Sequence, residues 1–395
     1  SNQNNESCCK MTLKNLIMKR ITIKQYLLAC FVLPMILAGC NDADYQVIDN
    51  AIYLNEASEN GSAKVTVDPE NVTTTTLTVR VGQPVTENVT AVLTVDPSIL
   101  KEYNEANETS YEVLPEQYFT YDKEIKIAAG DVSAIPSEFR VKPYSNENGE
   151  LYAIPVSLTE IQGPVSTIGL SSKFIILLDK PLIQSVPFMN TTNAVKPAKD
   201  ELWGVTTNEW SLEAWVQMDG FDINNQAIFN SGSSDHEVYI RFGDAMIPYN
   251  SLQVKTLGSQ VNTVTLFEKN KWYHLAFVYN SSGLLSIYIN GVLDVTLQTK
   301  GGPVRFDKMN MVSSGSYFRN NCQMAQVRLW KSAISQTQIQ SNMYFAVKPA
   351  DPNLIGYWKM DEGKGNAFVD CTGHGYDLVA GGTLVWKEHV RFDKQ

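Results

Sequence analysis

From Tyr45 onward, apolar and polar residues alternate in short runs broken by glycine, proline, asparagine or aspartate. A period of two sends successive side chains to opposite faces of an extended chain, so each run is a strand with one face to bury. The runs in the first part are Ala51–Leu54, Ala63–Val67, Thr74–Val81, Val89–Val95, Glu124–Ile127, Phe139–Lys142, Ala153–Leu158 and Lys173–Leu178. They are rich in Val, Ile, Thr and Tyr, the residues that suit a pleated surface. One helix interrupts them. Asp96-Pro97-Ser98 offers an N-cap and a proline in the first turn, and Ile99, Leu100 and Tyr103 share a face of Ile99–Ala106. Short strands with one short helix predict an all-β chain, with an immunoglobulin-like β-sandwich over 51–180.

The prolines between Lys180-Pro181 and Pro187 mark a junction, and a second domain is expected over 181–395. All seven tryptophans fall in it (Trp203, Trp210, Trp215, Trp272, Trp330, Trp358 and Trp386). Such aromatics fill a broad core or offer stacking surfaces. Asn290-Gly291 between two apolar runs predicts a tight hairpin, because both turn positions need positive φ. Across it Ile289 opposes Val292 and Ile287 opposes Asp294. Tyr288, Leu293 and Val295 take the other face. Both faces are substantially apolar, which leaves open the one that meets the core; cover on both sides is one explanation.

Two resemblances follow. The first rests on Val95-Asp96-Pro97, Tyr103-Asn104, Tyr111-Glu112-Val113-Leu114-Pro115, Ile127-Ala128-Ala129-Gly130 and Tyr152-Ala153-Ile154-Pro155-Val156. It resembles a domain of unknown function at the front of Bacteroidetes surface glycan-utilisation proteins, which precedes lectin-like or endoglycosidase modules and assigns no activity itself. The second rests on Trp210–Val216, Lys271–Tyr279, Leu284–Leu293, Met324–Trp330 with a short helix over Ser332–Ile339, Leu354–Gly363 and Asp370–Gly375. It resembles laminin-G-like members of the concanavalin A-like lectin/glucanase superfamily and implies a jelly-roll β-sandwich that serves lectins, enzymes and adhesion modules alike.

Ahead of the strands, Lys19, Arg20 and Lys24 precede the apolar segment Tyr26–Leu37, which is too short to span a bilayer, and Leu37-Ala38-Gly39-Cys40 follows. This resembles the lipobox of bacterial lipoproteins. It implies a signal over 1–39, with an upstream extension before Met18, cleavage ahead of Cys40, and acylation of Cys40. Several acyl chains hold a soluble domain stably where one would not. Residues 40–50 read as a tether. Asp42 and Asp44 resemble the surface-export signal of Bacteroidetes lipoproteins, so the expected location is the outer membrane, lipid-anchored at the cell surface. Of the 32 basic and 42 acidic side chains, five and one lie in 1–39, which leaves the expected mature chain at −14. That balance excludes nucleic acid and a basic lipid-binding patch as partners, and leaves a neutral glycan open.

Catalysis needs paired carboxylates or an activated nucleophile. Glu-x-Asp occurs nowhere, and the one Asp-x-Asp is Asp42-Ala-Asp44 in the tether. Gly-x-Ser-x-Gly and His-Glu-x-x-His are also missing from the sequence. His274 lies within a strand and reads as a structural residue. No enzyme is therefore expected. Binding candidates are an aromatic near the domain entrance, Trp203, and two polar–aromatic loops. These are Ser233–Arg241, with His236, Tyr239 and Arg241, and Tyr317-Phe318-Arg319-Asn320. No cofactor is required. Asp361, Glu362, Asp370 and Asp377 offer oxygens to calcium in a glycine-rich turn, but no complete ligand loop is legible and a solvated turn is the plainer reading. Cys322 and Cys371 remain in an exported chain, either bridged or as two buried thiols. The expected function is capture of oligo- or polysaccharide for uptake, alongside an outer-membrane glycan transporter and glycosidases. The alternatives are a divergent glycoside hydrolase and an adhesin for host protein or matrix.

Overall fold

The computed structural model describes residues 50–146, 149–231 and 236–392. Cys40, the signal segment and the tether up to Asp49 lie outside the described residues, as do Ser233, Ser234 and Asp235 of the first candidate loop. The first half holds β1 (Ala51–Leu54), β2 (Ser62–Thr66), β3 (Thr73–Leu77), β4 (Val79–Val81), β5 (Val89–Val95), α1 (Pro97–Asn107), β6 (Tyr111–Val113), β7 (Phe119–Tyr121), β8 (Glu124–Ile127), β9 (Ser137–Val141), β10 (Leu151–Gln162), β11 (Ser166–Thr167) and β12 (Lys173–Asp179). Its main sheet runs β2-β12-β10-β5-β8 with β6 added to β10; the smaller sheets are β11-β1-β4 and β3-β9-β7. One core joins all three, with Leu54, Val79, Leu93, Phe139, Val156 and Ile176 fully or almost fully buried. Asp96 caps α1 by accepting from the Ser98 amide at 3.0 Å.

The run Thr74–Val81 is not one strand. It divides at Thr78 into β3 and β4, which belong to different sheets. The Glu56 carboxylate accepts the Thr78 amide, and the Thr78 carbonyl accepts the Asn55 amide at 2.8 Å. A residue whose backbone is satisfied by a neighbouring turn is free to leave one ladder and start another.

The second half holds β13 (Ile183–Met189), β14 (Val195–Pro197), β15 (Val205–Thr207), β16 (Trp210–Met218), β17 (Gln226–Asn230), β18 (Val238–Asp244), β19 (Ile247–Thr256), β20 (Ser259–Leu266), β21 (Tyr273–Tyr279), β22 (Leu284–Ile289), β23 (Val292–Gln298), β24 (Val304–Phe306), β25 (Asn310–Met311), β26 (Cys322–Trp330), α2 (Gln336–Asn342), β27 (Leu354–Trp358), β28 (Ala367–Phe368), β29 (Leu378–Ala380) and β30 (Val385–Arg391). Two large sheets face each other across one core. The first runs β23-β22-β21-β16-β26-β13-β30 with β27 on β26, and the second runs β20-β19-β18-β17-β25-β14-β29-β28. Helix α2 starts later than the pattern predicts, because Ser335 is its cap and shares a capping box with Gln338.

At the hairpin, Asn290 and Gly291 both have positive φ (51° and 76°), as the turn demands. Ile287 and Ile289 face the inter-sheet core, and Tyr288 packs on the opposite side. Ile287 pairs with Val295 rather than Asp294, because a bulge frees Asp294 from the ladder. Its carboxylate accepts the amides of Val264 and Thr265 on β20, which ties the edge strands of the two sheets together.

Among the described residues, no strand pair crosses 180–182. The halves meet through side chains and loops. Tyr344 and Phe345, after α2, pack on Leu100, Tyr111, Leu151 and Leu177 of the first half. Glu112 pairs with Lys348, and Glu108 accepts from Ser335 Oγ.

Candidate functional site

Residues 238–241, expected in a loop, instead lie on strand β18, which alternates Val238, Ile240 and Phe242 into the core with Tyr239 and Arg241 on the outer face of the second sheet. Register sets the neighbours. Arg241 lies opposite Gln253 of β19, and Gln253 lies opposite Asn262 of β20. Arg241 Nε and Nη2 donate to Gln253 Oε1 at 3.1 and 2.7 Å, and Gln253 Nε2 donates to Asn262 Oδ1 at 2.9 Å. On the other side, Tyr239 Oη and Arg241 Nη1 both donate to Asn225 Oδ1 at 2.9 Å. The guanidinium also lies 5.8 Å from the Tyr239 ring centre and pairs with Asp244 at 2.6 Å. The Ala245 amide, then Arg241, holds the Asp244 carboxyl below its usual range. Burial raises the Tyr239 phenol. The result is a ladder of hydroxyl, guanidinium and amide groups fixed by its own hydrogen bonds.

The second candidate stretch adjoins this ladder through Gln226, the residue after Asn225. Gln226 Oε1 accepts the amides of Arg319 and Asn320, and Gln226 Nε2 donates to Asn320 Oδ1 at 2.9 Å. Tyr317 and Arg319 are exposed beside it. Two of the four predicted residues there play another part. Phe318 is fully buried in the inter-sheet core and cannot meet a ligand. Asn320 is also buried, its side chain spent on Asp222 and Gln226. His236, half-buried, approaches the Pro303 carbonyl at 3.1 Å and precedes β18. Trp203 belongs to a separate stack, 4.5 Å from Tyr376 and 5.8 Å from Trp358 between ring centres.

The four acids do not converge. Asp370 is buried, and its oxygens accept from the amides of Tyr357, Thr372 and Tyr376. Asp377 accepts the Asp370 amide, and Glu362 accepts the Val369 amide. Asp361 stays exposed. Among the described residues, no group of three or more His, Cys, Asp or Glu side chains is placed to hold a metal. These carboxylates organise a turn by taking up its amides. The disulfide is absent: both thiols are free, Cys322 in the inter-sheet core and Cys371 against the cluster on the outer side of the first sheet.

Sequence reasoning missed Asn225, Gln253, Asn262 and Asp244. The available signal was the polar alternate position on β19 and β20, which has meaning only once register sets those strands beside β18. It also missed a buried group on the outer face of the first sheet. Arg328 Nη1 donates to Glu213 Oε1 at 2.9 Å and to the Asn342 carbonyl, and Nη2 donates to the Phe345 carbonyl. His274 Nε2 is 3.7 Å from Glu213 Oε2, beyond hydrogen-bond range. Burial, then Arg328, lowers His274 to about 3, so at neutral pH the imidazole is uncharged and this approach is no ion pair.

The fold and its motifs define the class. Residues 190–340 match the Laminin_G_3 family model of the concanavalin A-like lectin/glucanases superfamily, so the second half carries a concanavalin A-like domain. A family model of an N-terminal domain matches residues 48–165. Among solved structures, the chain is similar to a Bacteroides ovatus protein to which carbohydrate binding is ascribed. The identity is 23% and the TM-score 0.59, over 86% of this chain and 97% of that one. It is also similar to EndoBT-3987 of Bacteroides thetaiotamicron with a Man5GlcNAc product, at 22% identity and TM-score 0.27, over 33% and 30%. A third is the heptameric SAP-like pentraxin of Limulus polyphemus, at 14% identity and TM-score 0.34, over 50% and 94%. No curated protein matches the chain in sequence.

Proposed function

We propose that this chain captures glycan on the outer face of its second sheet, without cleaving it, while acylated Cys40 holds it at the outer-membrane surface. The observation that carries the reading is the Asn225–Tyr239–Arg241–Gln253–Asn262 ladder. Sugars offer hydroxyls that both donate and accept, with C–H faces that lie on aromatic rings, and half-buried Asn225, Tyr239 and Asn262, held in place by the buried Arg241 and Gln253, meet them at little entropic cost. Tyr317 and Arg319 extend that surface at its edge. The superfamily match and the carbohydrate binding ascribed to the Bacteroides ovatus relative support the same class of ligand. Capture without turnover is favoured because, among the described residues, Asp244 is the one carboxylate bonded into the ladder and it is paired with Arg241; cleavage by two carboxylates needs a second. The lipid anchor rests on the Leu37–Cys40 motif, and uptake through a neighbouring transporter and glycosidases follows from that location.

The test is a glycan array and a reducing-sugar assay on the purified full chain, run with and without calcium. Binding without sugar release is expected, weakened about tenfold or more by Arg241→Ala and by Tyr239→Ala, a loss of about 1.4 kcal/mol. Unchanged affinity in both variants discards the ladder. Saccharide cleavage at enzymatic rates discards capture.

A further inference from the structure

Two side chains flank the Asn225 end of the ladder. Gly243 follows Arg241 by two residues, one repeat of about 7 Å along β18. A Cβ there would stand 2.9 Å from the Tyr249 Cα and 3.0 Å from the Asn224 Cα, so glycine lets two other stretches of chain close over the strand. Its φ of 74° is also one that glycine favours. The Gly243 carbonyl accepts the Asn225 amide at 3.0 Å. Tyr249 and Asn224 are thereby held beside Asn225.

Neither side chain is committed to the fold. Tyr249 is 45% exposed, and among the described residues its phenol has no hydrogen bond and its ring no aromatic or cationic partner. Asn224 is half-buried, and among the described residues its side-chain amide has no hydrogen-bond partner. The Tyr239 ring, by contrast, already carries the Arg241 guanidinium at 5.8 Å. Tyr249 therefore supplies the free aromatic face that the ladder lacks. Such a face suits C–H groups, and an amide beside it both donates to and accepts from hydroxyls. The row also sets a length. From Asn262 on β20 to Asn225 at the start of β17 it crosses three strand spacings of about 4.8 Å, roughly 14 Å in all. That is longer than one sugar ring, and Tyr249 and Asn224 lie outside it.

We propose, resting on the sheet-face reading, that Tyr249 and Asn224 form a stacking subsite beside the ladder, so that the ligand is an oligosaccharide of two or more rings rather than a monosaccharide. One ring lies on Tyr249 and shares hydroxyls with the Asn224 amide. The next meets Asn225, Tyr239 and Asn262.

The test titrates the purified full chain, in a detergent without a sugar head group, with mono-, di- and tetrasaccharides of mannose, glucose, galactose and xylose. Calorimetry gives the affinity, and NMR follows the sugar ring protons, which an aromatic face moves upfield. At least one tetrasaccharide is expected to bind about tenfold or more tightly than its monosaccharide. Tyr249→Ala and Asn224→Ala should each weaken it about tenfold, and Tyr249→Phe should stay within about twofold. Tyr249→Ala should also remove the upfield shift. Because neither side chain bonds within the protein, both alanine variants should melt close to the parent. Tetrasaccharide affinity within about twofold in both alanine variants, beside a loss in Arg241→Ala, would overturn the subsite and keep the ladder. A loss in both with Arg241→Ala unchanged discards the ladder and leaves the subsite. No binding by any probe overturns both.

Discussion

Acidification bears on one buried histidine in the second half. His274 is 1% exposed on β21, packed edge-on against Trp215 and faced by Glu213 and Arg328. Burial is the main cause that lowers it from 6.5 to about 3. Unfolded, the imidazole takes a proton as pH falls below 6.5; folded, it does not until about 3. The unfolded state therefore binds more protons across that window, and stability falls with falling pH. Relative to neutral pH, the loss is about 1 kcal/mol at about pH 5.5 and about 2–3 kcal/mol at about pH 4.5, from roughly 1.4 kcal/mol per unit. Asp68, Asp96 and Asp244 are lowered from 3.8, so their contributions are lost only further down. Desolvation raises the Asp361 and Glu362 carboxyls, which protonate first in the folded state and act against this slope with or without His274. Because all seven tryptophans lie beyond residue 181, denaturant unfolding followed by tryptophan fluorescence reports this half. His274→Gln, neutral at every pH, should flatten the profile between about pH 6.5 and 4.5 while the parent protein retains its slope. Parallel slopes in the two proteins would refute the assignment.

Three further outcomes follow from geometry. Phe318→Ala should cost about 3–5 kcal/mol, because it empties a fully buried aromatic site, whereas half-exposed Tyr317→Ala should stay within about 0.5 kcal/mol in the same urea titration. Gly149→Ala places a Cβ against the Val347 backbone at φ 76°, and should lower the melting temperature by several degrees and speed proteolysis near Lys180. Gly130→Ala is the control, since its φ of 90° is equally strained but nothing lies within 4 Å of the new carbon. Cys40→Ser should abolish incorporation of labelled palmitate and move the protein from the membrane to the soluble fraction; continued labelling would refute acylation at Cys40.

Local pattern determined a good deal by itself. Alternation and turn residues specified most strands of the first half and β16, β21, β22 and β26 of the second, but not β13, β18, β19, β20 or β30. Asp96 announced the cap of α1, and Asn290-Gly291 announced the hairpin, because each signal acts over a few residues of backbone. Tyr239 and Arg241 read as candidates in a polar–aromatic loop, and only the structure shows them as the polar half of strand β18, whose apolar half enters the core. What a period of two cannot state is what covers the other face. Glu213 and Arg328 sit among apolar neighbours in strand motifs, and only the packing of Phe345, Asn342 and the first half over that sheet turns them into a buried pair. Phe318 and Tyr317 are adjacent letters with opposite fates, decided by a single turn beside β17. The ladder joins residues from 225 to 262 through strand register, and Tyr344 and Phe345 meet Leu100, Tyr111 and Leu151 through contact between the two halves. Such meetings cost chain entropy that only long-range burial offsets, so they exist in the folded molecule and leave no local trace in the sequence.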